Sequence, residues 1–120
     1  MITKNIFWIF EITIKEGQVD NLKKLMTEMV EATKENEQGT IAYEWTISED
    51  NKKCHTLERY LDSEATLTHL ATFTSQYAAR LMETGDATSF IVYGNPNDDV
   101  KRILDGFDAI YMTPIGGFVR

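Results

Sequence analysis

Two ionisable side chains near the middle of the sequence, Glu58 and His69, are the best candidates for proton chemistry. Glu58 lies in the segment His55–Leu61, whose alternation predicts a strand, and it shares a strand face with Tyr60. If that face points inward, burial would raise the pKa of the Glu58 carboxyl and suit it to proton transfer. The alternative is a structural hydrogen bond or an ion pair with a strand neighbour. His69 could act as a general base or orient one, or it could be a surface histidine.

Aromatic residues predict a pocket between a sheet and its helices. The two-residue period of the strands and the three- to four-residue spacing of the helices place several rings on faces that point towards this space. We expect these rings to bind the substrate. The set comprises Trp8, Phe10, Trp45, Tyr60, Phe73, Tyr77 and Phe90, with Tyr43 as an alternative to Trp45. Apolar walls with a few polar groups suit a flat aromatic ligand. The alternative is that these rings simply fill the core of a small domain.

Metal and cofactor chemistry is not indicated by the sequence. The chain has two histidines without a nearby ligand set, and its one cysteine, Cys54, excludes both a Cys-x-x-Cys site and an internal disulfide. We interpret Cys54 as an incidental residue at a strand start, and we expect His55, beside a lysine turn, to be exposed to solvent. Gly116–Gly117 has no following helix and therefore does not match a phosphate-binding loop. We expect neither a metal nor a cofactor.

The predicted elements follow the order β-α-β-β-α-β, with a short helix and a last strand added. They are a strand over Asn5–Lys15, a helix from Gln18 to about Asn36, strands over Gly39–Ile47 and His55–Leu61, a helix from Ser63 to about Met82, a strand over Ala87–Gly94, a short helix capped by Asn97 and a strand over Phe107–Met112. This order predicts an α+β, ferredoxin-like fold with an antiparallel sheet and both long helices on one face. We expect residues 1–120 to form a single domain.

Two local features should position the candidate site. In the strand Gly39–Ile47, alternation places four apolar residues on one buried face: Ile41, Tyr43, Trp45 and Ile47. Gly39 itself follows the first long helix, and we expect it to end that helix in the left-handed conformation. Asp62 precedes the second long helix and can cap its N-terminus.

The orientation of His69 depends on whether the second long helix is straight. Its apolar stripe comprises Leu67, Leu70, Thr74, Tyr77, Ala78 and Leu81. At about 100° per residue, His69 lies about 130° from the centre of this stripe, near its edge or in solvent. The segment Ala71–Gln76 is poor in strong helix formers, and a break there would reset the phase and could turn His69 inward. The sequence leaves both arrangements open.

The opposite face of the sheet predicts a partner subunit. Phe7, Ile9, Ile91 and Tyr93 share that face and are too apolar as a group to meet water. We therefore expect a homodimer packed sheet against sheet. The short helix and the last strand go beyond the minimal unit, and we expect them to wrap or exchange at the dimer interface.

Composition excludes several other partners. The formal net charge of −7 argues against a nucleic-acid backbone or an anionic membrane, because both attract basic surfaces. No apolar run approaches membrane-spanning length, and the N-terminus lacks a small-residue cleavage site, so we expect no signal peptide. A single cysteine fits a reducing cytoplasm.

The central segment of the chain resembles the antibiotic biosynthesis monooxygenase family. The resemblance is carried by Gly39-x-x-x-Tyr43-x-Trp45 and by Leu57-Glu58-x-Tyr60-x-Asp62-x-x-Ala65-x-x-x-His69-Leu70. It extends from about Phe7 to Tyr93 and implies a ferredoxin-like domain that pairs through its sheet into a dimeric α/β barrel. By motif position, it also supports Glu58 and His69 as site residues.

The resemblance also distinguishes this chain from one branch of that family, the haem-degrading proteins. The haem-degrading branch uses an asparagine, a tryptophan and a histidine at positions that correspond here to Phe10, Tyr60 and Ala79. Because all three differ, haem degradation is not expected.

The family's quinol and anthrone oxygenases need no metal or flavin, since the deprotonated substrate itself passes an electron to oxygen. The resemblance therefore implies a cofactor-independent monooxygenase of a small aromatic or quinol substrate. Within it, Glu58, His69, Trp45 and Tyr77 would bind the phenol, take its proton and stabilise its anion. Two alternatives remain: a non-catalytic dimer that binds a small hydrophobic ligand, and an isomerase of a small carbonyl metabolite.

Overall fold

The computed structural model describes residues 3–120 and contains every element that the sequence predicts. In chain order these are β1 (Ile6–Ile14), α1 (Val19–Asn36), β2 (Thr40–Ile47), β3 (Lys53–Tyr60), α2 (Ser63–Thr72), a π-helical turn (Phe73–Tyr77), α3 (Ala78–Thr84), β4 (Gly85–Tyr93), α4 (Asp98–Asp105) and β5 (Ile110–Met112). Within this part of the chain, no helix combines the length and the apolar composition needed to cross a bilayer.

The five strands form one open sheet in the order β2-β3-β1-β4-β5. The first four are antiparallel to their neighbours, and β5 adds to the edge of β4 in parallel. The helices α1, α2 and α3 contact one face of this sheet. The ferredoxin-like α+β prediction is therefore confirmed, and the added strand makes the sheet mixed rather than wholly antiparallel.

The central strand β1 separates two environments. Its inward residues, among them Trp8, Phe10 and Ile12, are buried against the helices, whereas Phe7 and Ile9 on the opposite face are only half-buried. This alternation follows from the two-residue period of a strand. It gives the domain an inner core face and an outer face that its own helices do not cover.

The second long helix is interrupted, and this interruption turns His69 inward. The π turn Phe73–Tyr77 separates α2 from α3, within and just beyond the segment that lacks strong helix formers. Because a π turn holds an extra residue, it shifts the helical phase by about 100°. His69 is consequently 5% exposed, and Thr74, predicted to lie on the buried stripe, is exposed instead.

The edge strand β2 departs from simple alternation at its start. Its pairing with β3 shifts register between Thr40 and Ala42, which leaves Ile41 at a bulge. Ile41 is 50% exposed, and Ile47 at the open end of the strand is 38% exposed, so the prediction that both lie on a buried face is wrong. Tyr43 and Trp45, which lie between them, do pack against the core.

Gly39 is required for close packing rather than for a left-handed cap. Glu37 is the residue that ends α1, and the backbone of Gly39 is not in the left-handed region. A Cβ atom added to Gly39 would overlap the Cβ of Ala65 on α2. The expected cap is therefore wrong, and the glycine instead lets the start of β2 approach α2.

Capping side chains stabilise the starts of α2 and α4, as predicted. The Asp62 side chain accepts a hydrogen bond from the Ala65 backbone N–H, and Asn97 does the same for Val100 at the start of α4. Each cap satisfies a backbone donor that the first turn leaves without a partner.

Candidate active site

The inner face holds a buried chain of three ionisable side chains. His69 Nδ1 lies 2.8 Å from Glu37 Oε1, and His69 Nε2 lies 3.2 Å from Glu58 Oε1. The three residues come from different elements: the end of α1, the second turn of α2 and the second half of β3. All three are less than 9% exposed. Both ring nitrogens of His69 are thus held by carboxylates.

Strand β3 surrounds Glu58 with hydroxyl donors. Thr56, Glu58 and Tyr60 alternate along the inward face of this strand. Thr56 Oγ1 donates to Glu58 Oε2 at 2.6 Å, and the Tyr60 hydroxyl donates to Glu58 Oε1 through a short hydrogen bond. Donors of this kind stabilise the ionised carboxylate.

These contacts set the protonation states of the site. Burial alone would lower the pKa of His69, but the hydrogen bonds and charges of Glu37 and Glu58 raise it to about 9. For Glu58, burial opposes ionisation, but His69 and the two hydroxyl donors outweigh it and lower the pKa of the carboxyl. The expected rise in the Glu58 pKa is therefore wrong in sign, because the sequence did not reveal its cationic partner. Near neutral pH the site holds an imidazolium ion beside a carboxylate.

The ion pair lies in the wall of a cavity with aromatic sides. The lining residues are Trp8, Phe10, Met29, Tyr43, Trp45, Thr56, Glu58, His69, Leu70, Phe73, Leu81, Phe90 and Phe107. Five of the seven predicted substrate-binding rings are among them. The free volume is about 30 Å³, which is room for about two water molecules.

Two predicted lining residues, Tyr60 and Tyr77, do not line the cavity. Tyr60 is completely buried behind Trp8 and His69, where burial and the neighbouring Glu58 raise the pKa of its hydroxyl. Tyr77 is the last residue of the π turn, and its buried ring lies beside the Arg80 guanidinium, 5.9 Å from the ring centroid. Tyr60 therefore supports the site through its hydrogen bond to Glu58.

A polar group is also available on the β2 side of the cavity. The indole N–H of Trp45 is buried, and it has no hydrogen-bond partner among residues 3–120. The neighbouring Tyr43 ring packs against both Trp45 and His69. Burial, together with the charge of Glu58, raises the pKa of the Tyr43 hydroxyl, so Tyr43 stays protonated. An acceptor atom on a bound ligand would satisfy the Trp45 donor.

Sequence reasoning missed two of these residues, Glu37 and Phe107. Glu37 sits at the C-terminal end of α1, where a carboxylate faces the negative end of the helix dipole. That unfavourable position was a usable signal of a compensating partner. Phe107 lies in the turn after α4, and no local sequence pattern indicates that this turn reaches the cavity.

The remaining candidates for chemistry lie away from the cavity centre. Cys54 is buried, and burial raises the pKa of its thiol to about 11, which keeps it unreactive. His55 is only partly exposed, since its Nε2 lies 3.0 Å from Glu11 Oε1 on the outer face. Among residues 3–120, no group of three or more His, Cys, Asp or Glu side chains is arranged to hold a metal ion.

The sheet order and the helices across one face define the chain as a ferredoxin-like α+β domain with an aromatic cavity. The sequence model of the antibiotic biosynthesis monooxygenase family matches residues 5–93, and the chain therefore belongs to that family. The resemblance inferred from the central motif is thus confirmed. No curated protein matched the sequence.

Solved structures support the fold assignment. MupZ from Pseudomonas fluorescens superposes with a TM-score of 0.86 at 18% identity, covering 98% of this chain and 96% of MupZ. SnoaB, a cofactor-independent oxygenase from Streptomyces nogalater, gives a TM-score of 0.66 at 11% identity over 79% of this chain and 96% of SnoaB. Rv0793 from Mycobacterium tuberculosis gives 0.66 at 20% identity over 78% of this chain and 97% of its own. With identities this low, the superpositions show a shared fold.

Proposed function

We propose that this protein is a cofactor-independent monooxygenase acting on a small aromatic or quinol substrate. The observation that carries the proposal is the Glu58–His69 ion pair in the wall of an otherwise apolar, aromatic cavity. Membership of the monooxygenase family and the likeness in fold to an oxygenase that needs no cofactor support the same chemistry. The substrate rings would stack among Trp8, Phe73 and Phe90, with the reacting hydroxyl towards Glu58.

The proton of the substrate hydroxyl would pass through Glu58 to His69. Glu58 lines the cavity, and its Oε1 faces His69 Nε2, so the carboxylate can relay a proton to the ring. His69 has a pKa of about 9, close to the value of about 10 for a simple phenol, whereas the pKa of Glu58 is lowered. Transfer from the phenol to neutral His69 therefore costs little free energy, whereas transfer to Glu58 alone costs more, so neutral His69 is the final acceptor.

The remaining steps belong to the substrate and oxygen. The phenolate passes an electron to O₂, and recombination of the two radicals forms a C–O bond. In an anthrone-type substrate, a ring CH₂ becomes a carbonyl and the second oxygen atom leaves as water. The substrate supplies all four electrons that reduce O₂. The Trp45 N–H can donate to the developing oxyanion, since it has no other partner among residues 3–120.

The outer face supports a second part of the proposal, a homodimer. Strand pairing places Leu57, Ile9, Ile91 and Ile110 side by side across four strands. Leu57 and Ile110 are 37% and 60% exposed, and Phe7 and Tyr93 stack beside this row with ring centroids 5.0 Å apart. A continuous apolar row on an uncovered sheet face fits a second copy of the same face.

A second candidate function is a non-catalytic protein that binds a small hydrophobic ligand. One observation favours it: both ring nitrogens of His69 are already hydrogen-bonded, which is the pattern of a structural network as well as of a poised base. This candidate predicts saturable binding without any product.

Oxygen uptake with isotope labelling distinguishes these candidates. The purified protein, without added cofactor, would be mixed with naphthoquinols, anthrones and catechols under ¹⁸O₂. The monooxygenase predicts uptake above the autoxidation rate and a product that carries one ¹⁸O atom. Binding without uptake would reject the oxygenase in favour of the ligand-binding protein. A product formed equally well without oxygen would reject it in favour of an isomerase.

A further inference from the structure

One wall of the cavity comes from beyond the family's matched region. The family match ends at residue 93, yet Phe107 lines the cavity together with Glu58 and His69. Rv0793 aligns over 97% of its own chain but covers only 78% of this one, so this chain is longer than that shared domain. The Phe107 wall therefore lies outside the region that the family model describes, although MupZ superposes over 98% of this chain.

This C-terminal extension is firmly attached to the domain. Val100 and Leu104 on α4 are completely buried, and α4 packs against α2. The Asn97 backbone N–H donates to Ser63 Oγ at 3.0 Å, which ties the start of α4 to the start of α2. At the other end, β5 pairs with β4. These contacts give the extension a fixed position above the cavity.

The turn after α4 directs Phe107 towards His69. The next residue, Asp108, has a positive φ of 58°, and the Ala109 N–H donates to the Leu104 carbonyl. The Phe107 ring lies edge-on to Phe73 with centroids 6.2 Å apart, and Phe73 in turn stacks on His69 at 6.3 Å. Phe107 is thus the outer member of a row of three rings that ends at the ion pair.

Because the cavity is small, the position of the Phe107 ring determines whether an aromatic ligand can enter it. The free volume of about 30 Å³ is far below the roughly 150 Å³ at which an engineered apolar cavity binds benzene. An aromatic ligand can therefore enter only if a lining side chain gives way. Trp8, Phe10 and Phe90 are at most 9% exposed within the sheet. Four lining rings are half-buried: Tyr43 and Trp45 in β2, Phe73 in the π turn, and Phe107. Of these, only Phe107 lies in a turn between elements, outside any helix or strand.

The geometry points to Phe107 as the residue that closes the cavity and sets the size of the ring system that it admits. The Phe107 ring stands where the second ring of a fused substrate would extend from the ion pair. A one-ring phenol then requires partial displacement of the Phe107 ring, and a larger substrate requires the ring to leave the cavity completely. This inference rests on the proposed function for the choice of phenolic ligands.

Calorimetric titration of four chains with phenol and 1-naphthol tests this role. The chains are the unmodified protein, Phe107→Ala, Phe107→Trp and the control Phe118→Ala, whose ring is 72% exposed in the tail and does not line the cavity. Titrations are run without oxygen so that binding is measured in the absence of turnover. Thermal melting confirms that each chain is folded, and Phe107→Leu replaces the alanine variant if the latter is not.

We expect the preference for 1-naphthol over phenol, expressed as the ratio of their Kd values, to rise at least tenfold in Phe107→Ala. It should fall in Phe107→Trp and stay unchanged in Phe118→Ala. A ratio that changes by less than threefold in Phe107→Ala, or no binding of either ring to any chain, overturns the inference. A shifted preference without oxygen uptake would keep the role of Phe107 and reject the oxygenase. Oxygen uptake with an unshifted preference would keep the oxygenase and reject the role of Phe107.

Discussion

Nδ1 of His69 lies 2.8 Å from Oε1 of Glu37, a residue 32 positions earlier in the chain. Glu37 is itself held by the Thr40 hydroxyl, which donates to the same oxygen at 3.0 Å. The contact joins the end of α1 to the middle of α2 and fixes the orientation of the imidazole ring. It also directs Nε2 towards Glu58 and the cavity, so Glu37 acts on the site through His69.

The first prediction concerns the charge that Glu37 supplies. In Glu37→Gln, the pKa of His69 should fall below about 9 by roughly 1 pH unit or more, because one of the two carboxylates that stabilise the imidazolium is lost. NMR titration of the ring protons measures this directly, since the chain has only two histidines and His55→Asn assigns the other. If Glu37 only packs against the ring, the titration midpoint will be the same in both proteins.

The second prediction is a loss of stability at alkaline pH. The pKa of His69 is raised from 6.5 to about 9, so the folded state binds this proton more tightly than the unfolded state does. The stabilisation is fully present below pH 6.5 and is lost as the pH rises through about 9. It amounts to on the order of 3 kcal/mol of unfolding free energy.

Urea unfolding at pH 6 and pH 10 tests this loss. Because tyrosines and lysines also titrate near pH 10, the comparison is made against His69→Gln, in which the decrease should be smaller. Equal decreases in the two proteins would show that His69 is not the group responsible.

The third prediction concerns the contact between Gly39 and Ala65. Gly39→Ala should destabilise the protein by roughly 1 to 3 kcal/mol, because the added methyl group overlaps the Ala65 Cβ and forces β2 away from α2. Gly116→Ala is the matched control, since a Cβ at that position meets nothing within 4 Å. Chemical denaturation of both variants measures the difference. Equal stability of the two would contradict the packing role of Gly39.

The fourth prediction tests the proposed dimer. Ile9 lies in the middle of the apolar row on the outer face, between Leu57 and Ile91. We expect light scattering of the unmodified protein at micromolar concentration to give twice the chain mass of 13.8 kDa, and Ile9→Asp to give the monomer mass. Glu35→Gln, at an exposed position of α1 on the helical side of the sheet, should remain dimeric. An unmodified chain of monomer mass would reject the sheet-to-sheet pairing.

Local patterns were enough to predict the fold, but the site depends on contacts that local patterns do not encode. Alternation in β1 and the cap at Asp62 each act over a few residues, and both were predicted correctly. The Glu37–His69 contact joins residues 32 positions apart, and the inward turn of His69 depends on an extra residue in the π turn. The lowered pKa of Glu58 follows from its contact with the inward-turned His69, which is why its predicted sign was wrong.

The most direct test of the central claim is oxygen consumption by two site variants and their matched controls. Glu58→Gln and His69→Gln remove the relay and the final proton acceptor, whereas Glu44→Gln and His55→Gln change the same residue types outside the cavity. With a quinol or anthrone that the unmodified protein oxidises, we expect at least a hundredfold lower kcat in both site variants, in line with the usual contribution of acid–base catalysis. The controls should keep their rates, and the rate of the unmodified protein should rise with pH up to about 9. Undiminished oxygen consumption in Glu58→Gln and His69→Gln would contradict the account.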